Sequence, residues 1–203
     1  MRIDHLAPPA KPQTMRPYKQ GELDGLCGLY AIINSIRWCL RGHELSSKGQ
    51  HWCDLFAVLN NYAVKELGNL SIASTGTGLN SMIWLLRTAQ EHMIDVHGVH
   101  ISTHRPFALS KPKQSVQITE TILNHLNHPN SSALLAIYGA VNHWTVTTEI
   151  TNNTVKLFDS DRSQTMSATT LQPADLVSKK QRRSHIQPGS LICLSLVEKC
   201  ALE

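Results

Sequence analysis

The sequence predicts an α+β fold, and three observations carry that reading. Apolar residues recur at helical spacing through residues 21–130, short runs rich in β-branched and aromatic residues follow over 131–203, and Asn152-Asn153 marks a tight turn between two of those runs. Helices first and antiparallel strands second imply helices packed against a sheet, with a cleft where the two halves meet. The chain of 203 residues is expected to form a single domain, a length sufficient to bury one good core.

Taken in order, residues 1–20 read as an extended leader, punctuated by Pro8, Pro9, Pro12 and Pro17 and packed on the surface. The segment GELDGLCGLYAIINSIRWCLRG then changes character in its middle. Gly21, Gly25 and Gly28 mark a tight turn, after which Leu29, Ile32, Ile33, Ile36 and Leu40 repeat on one helical face up to a stop at Gly42. Cys27 therefore falls at the entrance of a buried helix. A second helix is expected after Ser47, whose spacing to Gln50 is that of a capping box, and to run to Gly68. A third spans residues 79–93 behind the small-residue loop STGTG, and a fourth spans 115–128, ended by Pro129. Strands are expected over 133–138, 143–150 and 155–158, and a last apolar run over 190–197. Residues 103–114 and 170–188 read as loose connections.

Hydrophobic residues make up 41% and charged residues 17%, an ordinary globular balance that argues against extensive disorder. No apolar run has the length of a membrane span. No hydrophobic signal segment opens the chain, so the expected location is cytoplasmic, or outside the cell by a dedicated secretion system that needs no cleavable signal. The net charge of +4 draws on Lys179, Lys180, Arg182 and Arg183. Polar residues surround this cluster and no aromatic side chains interleave for base stacking, so it reads as a solvated loop rather than a nucleic-acid site. The 5 cysteines are odd in number and contain no CxxC, which argues against a disulfide framework, a zinc ribbon or a dithiol redox pair.

Chemistry concentrates on three positions. A thiol attacks as thiolate, and a helix N-terminus favours that charge through its dipole and unpaired amides. Cys27 alone occupies a glycine-bracketed turn opening a helix, whereas Cys39 and Cys53 lie within amphipathic helices, Cys193 within an apolar run and Cys200 near a terminus. His143 begins the strand His143-Trp144-Thr145-Val146, a rigid mount for a general base. Sixteen residues later the returning strand ends in Asp159-Ser160-Asp161, and a hairpin at Asn152-Asn153 brings a carboxylate beside the base. Asp159 is the first choice for that carboxylate and Asp161 the alternative, since register is free by a residue or two.

These blocks, GLCGLYAIIN, NHWTV and LFDSD, resemble those of the papain-like cysteine peptidase superfamily in its compact bacterial type, as in leader-processing peptidases and effector toxins. The resemblance implies a central helix starting at the nucleophile Cys27, with His143 as base and Asp159 orienting it. It also implies an oxyanion donor upstream of the nucleophile, where Gln20 stands seven residues before Cys27. The serine- and tryptophan-containing block that surrounds the cysteine in lysosomal members is absent. The implied activity is hydrolysis of a peptide or isopeptide bond through an acyl-enzyme, on a peptide or protein substrate and with no cofactor. The same triad serves glutamine deamidation and transglutamination, and a catalytically inert peptide-binding module is the non-enzymatic alternative.

Other groups point less clearly to a site. His92, His97, His100 and His104 are dense, but no HExxH occurs, and a strand over 96–102 would send His97 and His100 to opposite faces. They read as surface histidines, with no metal site. The loop STGTG lacks the GK[ST] ending of a nucleotide loop and reads as the lead-in to the third helix.

Overall fold

The computed structural model of the chain describes residues 15–21, 24–68, 72–109, 112, 114–139, 141–161, 163–173 and 184–197. Its architecture is α+β, with N-terminal helices laid against a C-terminal antiparallel sheet. Helix α1 (Cys27–Cys39) is the central element, and Leu29, Ile32, Ile33 and Ile36 are 0 to 2% exposed along its length. Full burial of side chains of this size stabilises by about 1.5–3 kcal/mol each, so the helix is held by its face against the sheet rather than by its caps. Helices α2 (Gly49–Lys65) and α4 (Leu79–His97) pack on each other behind α1, with a single turn, α3 (Ile72–Thr75), between them.

Strand β1 (Ile101–His104) and helix α5 (Ser115–Leu126) precede the main run of strands. These are β2 (Ser131–Gly139), β3 (His143–Thr151), β4 (Thr154–Leu157), β5 (Thr165–Ser167), β6 (Ser184–Ile186) and β7 (Ile192–Leu196). The sheet order is β1-β7-β2-β3-β4-β5, every pairing antiparallel, with β6 pairing the end of β2. Strand β2 is buried on both faces. Leu134 and Ala136 join α1, α2 and α4 in one core, while Ala133 and Leu135 join Ile118 and Ile122 of α5 in a second.

Three local expectations are corrected. No Ser47–Gln50 capping box forms: Ser47 closes a 3-10 turn, Lys48 is the N-cap of α2 without a side-chain bond, and Gln50 donates instead to Asp54 at 2.8 Å. No strand spans 96–102. Helix α4 continues to His97 and stops at Gly98, whose φ of 63° is the left-handed C-cap conformation that glycine adopts without steric cost. The second and fourth helices also end earlier than expected, at Lys65 and Leu126. Residues 1–14 of the expected 1–20 leader, the basic cluster at 179–183 and Cys200 lie outside the described residues.

Candidate active site

The turn that delivers Cys27 is built by Asp24. Its carboxylate accepts from the amides of Gly21 at 2.7 Å and Leu26 at 3.1 Å, so one short acidic side chain folds the chain into the start of α1. The amide of Gly25 donates to the carbonyl of Ala73. Beside it, a Cβ on Gly28 would stand 2.5 Å from Thr77 Oγ1 and 2.6 Å from Thr77 Cβ. Only hydrogen fits there. The 73–78 segment thus seats against the first turn of α1, and Trp144 fixes it from the sheet by donating Nε1 to the Thr77 carbonyl at 2.7 Å. The STGTG loop does lead into α4, with Gly78 as N-cap, and it is also a wall of the Cys27 turn.

His143 opens β3, paired with Ile137 of β2. Beyond β4, the amide of Phe158 donates to the carbonyl of Val146 at 2.9 Å, so the returning chain runs alongside β3 towards its start and carries Asp159 to the ring. Nε2 of His143 lies 3.0 and 2.9 Å from the two carboxylate oxygens of Asp159. The Asp159 side chain is 0% exposed and that of His143 12%. Asp161 is exposed, and its backbone amide donates to Asp159 Oδ1 at 2.6 Å. Of the two candidate carboxylates, Asp159 is the one at the imidazole.

With Nε2 committed to Asp159, Nδ1 is the nitrogen left to face Cys27, which lies close enough to favour the charged form of the ring. Burial pushes the His143 ring towards neutrality. The hydrogen bonds to Asp159 and Cys27, and the negative charge each can carry, outweigh that and raise its pKa to about 10. His143 is therefore an imidazolium at neutral pH. Cys27 is 7% exposed, and its sulfur has only a long 3.9 Å approach to the Gly25 carbonyl besides the imidazole. A thiol, an imidazole and a buried carboxylate in this order can support a thiolate and return a proton to a leaving group.

Gln20 is placed by a separate clamp. Buried Asn34 of α1 accepts from the Tyr18 amide at 2.8 Å and donates to the Tyr18 carbonyl at 2.9 Å, while Arg37 donates to the Arg16 carbonyl at 3.0 Å. Gln20 then donates its amide to the Ser160 carbonyl at 3.2 Å and accepts from Ser160 Oγ at 3.4 Å. Its side-chain oxygen is engaged, and its Nε2 donors have no partner among the described residues. Sequence reasoning missed Asp24, Asn34 and Thr77 as parts of this frame. Asp24, three residues after Gly21, carried a local turn signal; Asn34 and Thr77 act only through tertiary contacts.

The histidine-rich segment lies elsewhere. His97 meets His51 of α2 with ring centroids 4.6 Å apart and His92 at 5.9 Å, while His100 and His104 are exposed. Among the described residues no helix is long and apolar enough to cross a membrane.

No protein-family model matches the chain, and no curated protein matches it. Among solved structures, the crystal structure of the Pseudomonas avirulence protein AvrPphB is similar at 14% identity, over 83% of this chain and 90% of that one, with a TM-score of 0.36. A likeness that distant assigns no role to any residue.

Proposed function

We propose that the chain is a cysteine-dependent hydrolase of papain-like type that cleaves an amide bond, peptide or isopeptide, in a peptide or protein substrate. One observation carries this reading: His143 is held between the buried carboxylate of Asp159 and the thiol of Cys27 at the N-terminus of α1. A histidine in a structural ion pair needs only the first of those partners.

In the proposed reaction the Cys27 thiolate attacks the carbonyl carbon, and the oxygen takes up the negative charge. The Cys27 amide, at the first position of α1, and the Nε2 donors of Gln20 stabilise that oxyanion. The His143 imidazolium gives its proton to the departing amine as the C–N bond breaks. Neutral His143 next takes a proton from water, which attacks the thioester and releases the acid. Asp159 keeps Nε2 in place and stabilises the imidazolium throughout.

The test is incubation with dye-labelled casein, with mass spectrometry of both the fragments and the protein. Wild type is expected to release fragments and to carry a transient acyl adduct on Cys27, and Cys27→Ala to do neither while keeping its melting temperature within a few degrees. Hydrolysis surviving in Cys27→Ala would sink the assignment.

A further inference from the structure

Next to the Cys27 turn lies a cavity of about 700 Å³ that takes no part in the proposed chemistry, and neither Cys27 nor His143 lines it. Its walls come from three places. Leu79 opens α4 two residues beyond Thr77, Tyr138 ends β2, and Phe107 with Ile186 and Pro188 closes the far side. Leu79 and Tyr138 pack against the core that contains Cys27, whereas Ile186 and Phe107 belong with the core on the other face, so the cavity opens where the two cores meet.

Two polar side chains of this lining, Arg105 and His185, each carry a buried nitrogen without a partner. Arg105 is half-buried; one Nη2 bond at 2.8 Å to the Gly189 carbonyl holds it in the wall, its Nε is buried without a partner, and no carboxylate pairs with it among the described residues. His185, stacked on Tyr138 with ring centroids 6.2 Å apart, has a buried Nδ1 that is likewise unpartnered. A half-buried guanidinium with an unspent N–H is costly unless something negative completes it.

We propose that this cavity is a specificity pocket for an acidic side chain of the substrate, with Arg105 receiving the carboxylate and Leu79, Phe107, Tyr138 and Ile186 receiving the apolar stem and a neighbouring apolar residue. That the bound peptide is a substrate rests on the hydrolase reading; that it binds does not. The Arg105 fork suits a carboxylate, and His185 supplies a second donor when its Nδ1 carries the proton. A site whose buried donors stay unmet by the wrong ligand discriminates strongly against it.

The test separates binding from catalysis by using the full chain as Cys27→Ala. Amide chemical shifts are followed during titration with capped Ala-Phe-Glu-Ala, with its Gln counterpart, and with the Gln counterpart bearing a free C-terminus. Saturable shifts at Phe107, Tyr138 and Ile186, at least about tenfold tighter for Glu than for capped Gln, are expected. Arg105→Gln should abolish that preference and Arg105→Lys retain part of it. Because the Glu-versus-Gln comparison is made on one protein, it decides the matter even where an Arg105 variant misfolds. Equal affinity for Glu and Gln, affinity that follows the free C-terminus, or no saturable shift at these residues overturns the pocket. None of these outcomes bears on whether wild type cleaves casein, so the two readings fail separately.

Discussion

At the scale of single residues, the proposed chemistry turns on a proton held by His143. An isolated imidazole gives it up near pH 6.5, whereas this one keeps it to about 10, because Asp159 and Cys27 overcome the cost of burial. The sign for stability follows from the direction of that shift. The folded state holds the proton more tightly than the unfolded chain, so the pair's contribution is full below about pH 6.5 and is lost as pH rises through about 10. An NMR titration of the His143 ring protons should show no transition between pH 5 and 8 in wild type. Asp159→Ala removes the main source of the shift and should bring the transition into or below that range. It should also destabilise the fold by about 3–5 kcal/mol, the usual cost of leaving one member of a buried ion pair alone. A wild-type ring titrating near 6.5 would contradict the bracketed geometry. The choice between Asp159 and Asp161 was open in the sequence because register sets it. A pairing of Phe158 with Val146 settles it, and no local pattern announces that contact.

At the scale of elements, the site is assembled where α1, the 73–78 segment and β3 converge. Gly28 makes the convergence possible, and Trp144 locks it. Gly28→Ala forces a methyl into Thr77, so it should cost about 1–3 kcal/mol as an overpacked contact. It should also slow Cys27 alkylation by displacing the 73–78 wall, whereas Gly42→Ala, at a position with open space around it, should show only the strain of its positive φ. Thermal melts and alkylation rates on the two variants distinguish these effects. Helices α1, α2, α4 and α5 were legible because each buries one face, and one-sided burial writes a 3.6-residue period into the sequence. Strands β2 and β3 were legible from their β-branched and apolar runs. Strand β1 was not, because an edge strand with only Ile101 buried carries little pattern, and Gly98 was not weighed as the stop that separates it from α4. Strands β5 and β6, three residues each, exist by pairing with β4 and β2 rather than by composition.

At the scale of the whole molecule, the sheet has helices on both faces, and α1 is bonded to it through side chains as well as packing. Ser35 and Ser132 share a 2.6 Å hydrogen bond, and Cys39 lies 3.3 Å from the same Ser132 hydroxyl. Burial raises the Cys39 thiol to about 11, partly offset by that hydroxyl, and burial raises Cys193 to about 12. The order of helices before strands made the architecture readable from sequence, and the order of Cys27, His143 and Asp159 along the chain was visible there too. The anchoring of the Gln20 segment by Asn34 and the Arg105 cavity were not readable, since both join separate parts of the chain through one or two polar contacts.

These differences among thiols make one measurement decisive: alkylation by iodoacetamide across pH, mapped by mass spectrometry in wild type and His143→Ala. Cys39 and Cys193, both buried, should stay unlabelled in the folded chain, and exposed Cys53 should label whether or not His143 is present. The account predicts that Cys27, though buried, labels faster than exposed Cys53 and loses that advantage in His143→Ala. Slow labelling of Cys27, unchanged by removal of His143, would contradict it and leave Cys27 an ordinary buried thiol.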